Sequence, residues 1–375
     1  MAQSIATRCP AGALPDAEAD AWRAFQGQQP AFANPLMGPD FARAVGRVRE
    51  DAEVVTYRRG DEVVGFLGLH RRPRGFARPL GAPFADYHAL VTGPAPGFDG
   101  REALALADVR AFRHIGLIDP YGLFDRIAVG PTAFAIELPE GPDAYMEALR
   151  ASNPKRFKNY RRLLNRLADV GPLRLQASRD SADFDQLLAW KSEQFRRTGL
   201  QDVLRPAWVR ELMLSLFETD TPRFGGLMLN LHAGDTLTGG HFGVIANGIY
   251  HPWIASTNPA LVAASPGNAF LDQVIRAMPD LGIRVYDLGP GHDHYKQPFS
   301  STQMSVGVGL TMTDSRAGGL ITLGSTDWAS GIDAPLAKVR RRLDHIAAVD
   351  PTVAGRAMAL VDAMRAIPRR LGGAD

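Results

Sequence analysis

The segment Asp287–Lys296 brings six titratable side chains together within ten residues. It reads Asp-Leu-Gly-Pro-Gly-His-Asp-His-Tyr-Lys and follows a short apolar run, residues 283–288. The whole chain contains only nine histidines, and His292 and His294 both fall here. Carboxylate, imidazole, phenol and ammonium groups on one loop after a strand can transfer protons and stabilise charge. The segment therefore predicts a functional site, although its glycines alone would mark an ordinary turn.

The helix predicted before this loop begins in a way that suits anion binding. Ser265-Pro266-Gly267-Asn268 opens an amphipathic stretch that ends at Gly282. The N–H groups of a first helical turn lack partners within the helix and carry partial positive charge, so they can hold a phosphate. The same Ser-Pro pair also starts many helices that bind nothing.

The elements around these residues predict an α/β chain of two domains. An antiparallel meander is expected over residues 224–232, 236–246 and 248–255, followed by a helix at 265–278 and strands at 283–288 and near 304–312. Arg59-Gly60-Asp61 and Asn247-Gly248 have the composition of hairpin turns. The predicted division is a loose N-terminus (1–20), a first domain (21–150), a second domain (151–315), a linker (316–335) and a basic helical tail (336–375).

Residues 150–166 carry seven basic side chains and no acidic one. At helical spacing Lys155, Lys158 and Arg162 fall largely on one face, opposite an apolar face. They either form a clamp for a phosphorylated substrate or are simply a solvated charged surface. Nucleic acid is the weaker alternative, because aromatic residues are not interleaved with the charges.

Taken in order, these motifs resemble the CelD/BcsL-type acetyltransferases of bacterial exopolysaccharide synthesis. The C-terminal half carries the order Ser-Pro-Gly, helix, Gly, strand, Asp-Leu-Gly-Pro-Gly, Tyr-Lys and Pro; Lys155–Leu163 resembles the basic helix of that family. Trp22–Phe41 resembles its opening and Glu62–Leu69 its first hairpin. The resemblance spans roughly residues 20–312, and within the family the chain most resembles enzymes that modify holdfast polysaccharide.

The resemblance implies tandem GNAT-like domains, each an α/β unit with a largely antiparallel sheet, and transfer of an acetyl group from acetyl-CoA to an amino sugar. The pyrophosphate would lie on Ser265, Gly267 and Asn268, and the central divergent strand would be 248–255. Asp287 and His251 are the candidate bases, Lys296 would neutralise a phosphate or oxyanion, and Tyr295 would protonate the thiolate. We expect Lys191, Trp253 and His292 to line the acceptor side, and Lys296 to be exposed.

One departure and several alternatives bear on this assignment. The glycine-rich pyrophosphate loop of most GNAT enzymes is absent, and residues 260–268, Ala-Leu-Val-Ala-Ala-Ser-Pro-Gly-Asn, stand in its place. A Fem-like transferase using aminoacyl-tRNA and a cyclic di-GMP-responsive regulator on a GNAT fold are the competing classes. No metal is expected, because His292, Asp293 and His294 are too crowded to complete a coordination sphere alone.

Composition sets further limits on class and location. A single cysteine, Cys9, excludes an internal disulfide, and the net charge of +2 gives no global argument for DNA binding. No apolar run is long enough to span a membrane, and no signal peptide is recognisable. These features predict a cytoplasmic protein, with peripheral contact at the inner membrane as an option.

The tail predicts a regulatory or targeting segment. Arg340, Arg341 and Arg342 interrupt an apolar helical pattern. Such a cluster suits a cyclic dinucleotide or an anionic membrane, or else the tail packs on the body as an ordinary helical pair. We expect truncation at Ala334 to leave a folded protein.

Overall fold

The computed structural model describes residues 3–291, 296–313, 345–350 and 357–358. The chain divides into two compact units. Unit 1 comprises Met1–Pro131, Pro206–Leu212 and Ser305–Asp375, and unit 2 comprises Thr132–Arg205 and Met213–Met304. Each unit combines a mixed sheet with helices, so the predicted α/β class is confirmed.

The helices, in chain order, are α1 (Asp16–Gln28), α2 (Pro39–Val48), α3 (Gly100–Leu106), α4 (Pro142–Ser152), α5 (Pro154–Ala168), α6 (Ser181–Arg197), α7 (Ala207–Glu218), α8 (Pro266–Ala277) and α9 (Lys296–Phe299). The strands are β1 (Ser4–Pro10), β2 (Ala52–Arg59), β3 (Glu62–Arg71), β4 (Phe76–Pro79), β5 (Leu90–Thr92), β6 (Ala111–Leu117), β7 (Ala128–Glu137), β8 (Leu173–Ala177), β9 (Gly225–Ala233), β10 (Thr236–Ala246), β11 (Ile249–Thr257), β12 (Val285–Pro290) and β13 (Thr302–Met312).

The sheet of unit 1 has the strand order β1-β2-β3-β4-β6-β13, and β5 pairs with β3. Neighbouring strands are antiparallel except β4 and β6, which run parallel. The β2–β3 hairpin forms at the predicted position, because Arg59 pairs with Glu62 around the two-residue loop Gly60-Asp61. Buried side chains from these strands and from α3 form the core of this unit.

The sheet of unit 2 has the order β7-β12-β11-β10-β9-β8. Again one pair is parallel, β11 with β12, and the rest are antiparallel. The predicted meander is β9–β11. Its second turn is Asn247-Gly248, where both residues have positive φ (50° and 73°), as a two-residue hairpin turn requires. Helices α5 and α8 pack on this sheet and close its core.

Three parts of the predicted division differ from the structure. Residues 4–10 are not loose, because they pair along their full length with β2 as strand β1. The first unit ends at Pro131 and not at 150, because β7 pairs with β12 in unit 2. The last strand, assigned to the second domain, pairs with β6 in unit 1. Local sequence patterns reveal a strand but not its partner, so these differences come from long-range pairing.

The described part of the tail packs against unit 1. Residues 345–349 are helical, and the side chains of Ile346 and Val349 are buried. The Trp208 indole donates a hydrogen bond to the Val349 carbonyl at 2.9 Å, and the Arg72 guanidinium donates to the Ala347 carbonyl at 3.4 Å. These residues are therefore part of the folded body, which agrees with the alternative that the tail packs on the body.

Candidate functional site

Strands β11 and β12 diverge soon after they meet. They pair in register only at Ile249 with Val285 and at Tyr250 with Tyr286, although β11 continues to Thr257 and β12 to Pro290. Where neighbouring strands part, their backbone N–H and C=O groups no longer satisfy each other and can accept a ligand. A ligand site is therefore expected at this opening.

A buried His–Asp pair lies immediately beyond the last paired residues. His251 follows Tyr250 on β11, and Asp287 follows Tyr286 on β12. The His251 Nδ1 atom lies 3.3 Å from the Asp287 Oδ2 atom. The other carboxylate oxygen of Asp287 accepts a hydrogen bond from the Gly289 N–H at 2.8 Å. The His251 side chain is fully buried, whereas 10% of the Asp287 side chain remains exposed, so Asp287 is the member that faces solvent.

Both strands are irregular at this point. In β11 the register against β10 shifts between Phe242 and Gly243, which leaves Trp253 as an extra, bulged residue. In β12 the register against β7 shifts between Asp287 and Gly289, and Gly289 has a φ of +72°. Bulges redirect side chains and often occur beside active sites. The extra residues are Trp253, a predicted acceptor residue, in β11 and Leu288, directly after Asp287, in β12.

Lys296 stands at the start of α9, the short helix that follows the predicted loop. It is only 8% exposed, and its Nζ donates a hydrogen bond to the Pro290 carbonyl at 3.1 Å. The expectation of an exposed lysine is therefore wrong. Its ammonium is held close to the end of β12 by packing and by a backbone acceptor, two constraints that a local sequence does not reveal.

A second buried pair, His241 and Tyr286, was not predicted. The His241 Nδ1 atom on β10 lies 2.5 Å from the Tyr286 hydroxyl oxygen on β12, and the His241 ring stacks on Phe270 of α8 with centroids 4.1 Å apart. Burial, with the positive charges of Lys191 and Lys296, lowers the pKa of His241 to about 3. The imidazole is therefore neutral at physiological pH. Gly239-Gly240-His241 has the pattern of an ordinary strand segment, so the contact between His241 and Tyr286 could not be predicted from local sequence.

Lys191 also reaches this region, from α6. Its Nζ donates a hydrogen bond to the Ala255 carbonyl on β11 at 3.2 Å. Since Ala255 pairs with His241 in the β10–β11 register, the ammonium lies beside the same pair of strands. We call the group formed by His241, His251, Asp287, Tyr286, Lys191 and Lys296 the strand-gap site.

The helix that follows β11 begins without a side-chain cap. Ser265 precedes α8 in a left-handed conformation (φ 46°, ψ 59°), and its hydroxyl makes no capping hydrogen bond. The first turn contains no acidic residue. A side chain added at Gly267 would contact only the Thr257 methyl, at 3.8 Å. The predicted anion-binding residues Ser265, Gly267 and Asn268 thus form a helix start without a side-chain cap, in which the Asn268 N–H donates to the Ser265 carbonyl at 3.1 Å.

The remaining predicted residues are placed as follows. Lys155, Lys158 and Arg162 are exposed on α5, and Arg162 donates to the Asn159 side chain at 3.0 Å. Those predicted residues that lie outside the described ranges are His292, Tyr295, Arg340, Arg341 and Arg342. Within the described part of the chain, no group of three or more His, Cys, Asp or Glu side chains could hold a metal ion. None of the described helices is long and apolar enough to cross a membrane.

Comparison with known proteins identifies the class. Residues 154–297, from α5 through the start of α9, match the family described as Acetyltransferase (GNAT) domain. This range contains the whole strand-gap site and the start of α8. The chain is therefore an acyltransferase with a GNAT-like fold. No curated protein matches the sequence significantly.

Similar solved structures agree on the fold. The structure of FemX has a TM-score of 0.53 and 12% identity, covering 84% of this chain and 99% of FemX. A putative lysylphosphatidylglycerol synthetase domain from Agrobacterium fabrum has a TM-score of 0.48 and 13% identity, covering 82% and 95%. A tandem GNAT protein from the clavulanic acid pathway has a TM-score of 0.46 and 13% identity, covering 83% and 99%. The prediction of a mixed α/β, GNAT-like fold is confirmed, and the finer CelD/BcsL assignment stays a prediction.

Proposed function

We propose that this chain transfers the acetyl group of acetyl-CoA to the amine of an amino sugar. The sugar belongs to an exopolysaccharide of the holdfast or cellulose-like kind, or to its nucleotide- or lipid-linked precursor. The observation that carries the proposal is the divergence of β11 from β12 beside the uncapped start of α8. A thioester can enter the opening between the strands while its pyrophosphate lies on the helix.

Donor binding follows from the electrostatics of α8. The first-turn N–H groups carry the positive end of the helix dipole, and no carboxylate of that turn competes for them. Gly267 keeps the approach open, because only one methyl group lies near the position of a side chain. The departure from the usual glycine-rich loop is thus compatible with an anion at Ser265, Gly267 and Asn268.

Starting from an ammonium, the reaction requires two protons to leave the nitrogen and one negative charge to be stabilised. Once the first proton has been removed, the amine nitrogen attacks the acetyl carbon, the C–S bond breaks, and CoA leaves as a thiolate. The second proton, released from nitrogen as the amide forms, is taken up by the thiolate directly or through Tyr295. Asp287 is the proposed base, because it keeps an exposed edge while His251 behind it is fully buried and positions its carboxylate. The proton of the attacking ammonium passes to the Asp287 carboxylate.

The oxyanion lies in a region of positive potential. The ammonium groups of Lys191 and Lys296 both act on the His241 ring, so both lie near the divergent strands. Fixed charges placed where negative charge develops stabilise a transition state without reorganisation. A backbone N–H of β11 would complete this environment, and since Pro252 has none, His251 and Trp253 are the candidates. Donation of a proton to the thiolate by Tyr295 remains a prediction.

The donor assignment is tested by changing the helix start alone. Gly267→Asp places a carboxylate on the proposed pyrophosphate site without a steric clash, and we expect acetyl-CoA to bind at least tenfold more weakly. Gly267→Ala adds only a methyl group and serves as the control. Binding is measured by calorimetry and by the acetyl-CoA-dependent thermal shift. A wild-type protein that shows no shift at millimolar acetyl-CoA contradicts the proposal.

The acceptor assignment needs a separate assay. Purified protein with acetyl-CoA and a panel of amino sugars should release free thiol and yield an N-acetylated sugar detectable by mass spectrometry. Matched sugars that lack the amine are the control. Equal acetyl transfer to the sugars that lack the amine would show that a hydroxyl group, and not an amine, is the acceptor.

A further inference from the structure

A small cavity opens on unit 2 where α4 ends and α5 begins. It has a volume of about 180 Å³. Phe157 and Tyr160 of α5 and Phe299 of α9 form its aromatic wall, and Ser152, Asn153 and Arg156 contribute polar groups. Nothing in the acetyl transfer described above uses this cavity, which we call the α5 pocket.

The aromatic wall is held in place. Tyr160 stacks on Phe299 with centroids 5.3 Å apart and planes 15° from parallel. The Tyr145 hydroxyl donates a hydrogen bond of 2.6 Å to the Phe299 carbonyl, which anchors α9. Burial raises the pKa of Tyr160, so its phenol stays uncharged. Fixed, uncharged ring faces and edges suit a planar ligand, because little side-chain freedom is lost on binding.

The pocket carries one cationic group, the Arg156 guanidinium, which lines it and is exposed in the first turn of α5. Lys155 and Lys158 are also exposed, but at helical spacing they lie on the opposite face of α5. Between residues 150 and 166 the sequence has no acidic residue that would neutralise Arg156. Guanidinium groups bind phosphate in bidentate fashion. The ligand that fits is therefore planar at one end and phosphorylated at the other.

The pocket is distinct from the proposed CoA site. The Arg166 guanidinium, near the C-terminal end of α5, donates to the Ala263 carbonyl just before α8. The pocket lies at the opposite end of α5. Since Asn153 and Arg166 are 13 residues apart, the helix rise separates them by about 20 Å. A pyrophosphate on the α8 start therefore leaves the pocket for another group.

The pocket is nevertheless close to the strand-gap site. Lys296 begins α9 and Phe299 ends it, so both lie on one turn, about 5 Å apart along the axis. Lys296 contacts the end of β12, and Phe299 forms the pocket wall. A ligand anchored in the pocket can thus extend a sugar towards Asp287.

We propose that the α5 pocket binds the nucleobase of a nucleoside-diphosphate-linked amino sugar, with its diphosphate at the Arg156 guanidinium. This inference rests on the proposed acetyl transfer to a sugar and selects the nucleotide-linked precursor as the acceptor. The Asn153 side-chain oxygen accepts the Arg156 N–H and the Ser152 hydroxyl donates to the Leu149 carbonyl. The Asn153 NH2 group as donor and the Ser152 oxygen as acceptor can therefore bond the polar edge of a base. A long isoprenoid chain would instead need an extended apolar groove.

Binding of free nucleotides tests the inference apart from catalysis. In calorimetry with the full chain, UDP, GDP and ADP represent the base classes, pyrophosphate the charge alone, and farnesyl diphosphate a lipid carrier. We expect at least one nucleotide to bind ten or more times more tightly than pyrophosphate and farnesyl diphosphate. Saturating acetyl-CoA should leave that affinity unchanged, because the two ligands occupy separate sites.

Two exposed arginines of α5 provide matched variants. Arg156→Gln removes a pocket charge and should weaken the nucleotide at least fivefold, whereas Arg161→Gln, which does not line the pocket, should not. Both variants should bind acetyl-CoA like the wild type, which shows that they are folded. If both substitutions weaken nucleotide binding equally, the nucleotide is attracted only by the overall charge of α5, and the proposal is overturned.

The other outcomes are equally decisive. Competition between the nucleotide and acetyl-CoA would make the pocket part of the donor site. If pyrophosphate binds as tightly as every nucleotide, or farnesyl diphosphate binds more tightly than all of them, the nucleobase does not contribute to binding and the proposal fails. Failure of acetyl-CoA binding with nucleotide binding intact would contradict the donor assignment while the pocket stands as a nucleotide site.

Discussion

Units 1 and 2 repeat one sheet arrangement but differ at its centre. In unit 1 the parallel strands β4 and β6 pair only at Phe76 with Ala111 and at Ala77 with Phe112. In unit 2 the parallel strands β11 and β12 also pair over two positions before they part. The backbone therefore offers the same opening twice, and side chains decide what each opening can do.

The next residues on the parallel strands are chemically opposite in the two units. Unit 2 has His251 and Asp287, a pair that can hold or accept a proton. Unit 1 has Arg78 and Arg113, both buried. Guanidinium groups remain protonated at any physiological pH and cannot act as bases. At these two strand positions, therefore, only unit 2 carries side chains that can accept a proton.

The helices that connect the parallel strands differ as well. α3 of unit 1 starts with a capping box, in which the Asp99 carboxylate accepts the Glu102 N–H and the Glu102 carboxylate accepts the Asp99 N–H. α8 of unit 2 has neither an acidic first turn nor a side-chain cap. An anion would thus be repelled by the carboxylates at the start of α3, whereas the start of α8 has no such carboxylate, so two units with the same sheet order differ at the helix start.

A chain of buried hydrogen bonds joins the elements of unit 1. The Ile115 carbonyl accepts from His88 Nδ1–H, His88 Nε2 accepts from His114 Nδ1–H, and His114 Nε2 accepts from the Thr311 hydroxyl. Because a carbonyl can only accept, it fixes this direction along the whole chain. Both imidazoles are neutral in this arrangement, and they tie β6 to β13.

The largest effect should follow from removing the carboxylate of unit 2. Asp287→Asn keeps the shape and should lower kcat/KM by about 10²–10⁴, the range for loss of a general base. Acetyl-CoA binding should persist. Asp280→Asn, at an exposed carboxylate, is the control. Steady-state kinetics measures kcat/KM, and calorimetry measures acetyl-CoA binding. Near-normal turnover of Asp287→Asn would show that another residue is the general base.

A substitution in the buried part of the tail should lower the stability of unit 1. Ile346→Ala removes a side chain that is only 3% exposed, and we expect the free energy of unfolding to fall by about 2–5 kcal/mol. Met358→Ala, at a side chain 56% exposed, should change it by no more than about 0.5 kcal/mol. Denaturant titration measures both, and a silent Ile346→Ala would restore the view of the tail as a separate segment.

Lys296→Met tests the positive potential of the strand-gap site. Methionine fills a similar volume without charge, so packing is largely kept while the transition state loses a stabilising ammonium. Turnover should fall on the order of a hundredfold. Lys296→Arg keeps the charge and should recover part of the rate. Rates that are equal in wild type and Lys296→Met would exclude this lysine from catalysis.

A further prediction concerns the acid stability of unit 1. Burial lowers the pKa of His88 to about 3 and places the pKa of His114 well below its usual value. An unfolded histidine takes up its proton near pH 6.5, before the folded one does. Stability is therefore full above about pH 6.5 and falls towards pH 3, by about 1.4 kcal/mol per pH unit for each group.

Amide hydrogen exchange of β6 and β13, measured between pH 7 and pH 4.5, would report the loss of stability of these two strands. A His88→Phe/His114→Phe double variant has no group to protonate there and should show a flatter pH dependence. An equally steep dependence in the double variant would assign the acid sensitivity to other groups.

Prediction from the sequence succeeded where local rules apply. Asn247-Gly248 specified a hairpin turn, because turn preferences depend on neighbouring residues. Ser265-Pro266-Gly267 marked the start of α8 for the same reason. Asp287 was singled out because six titratable side chains fall within the ten residues of its segment.

Tertiary structure alone decided the rest. The strand containing Ser4–Pro10 has too weak a pattern to identify without its partner β2, and β13 could have joined either sheet. The burial of Lys296 and the contact between His241 and Tyr286, 45 residues apart, depend on strands that meet only after the whole unit has folded. The sequence determined which elements form and which residues are chemically suited. Long-range pairing, driven by burial of both sheet faces, determined which of those residues meet.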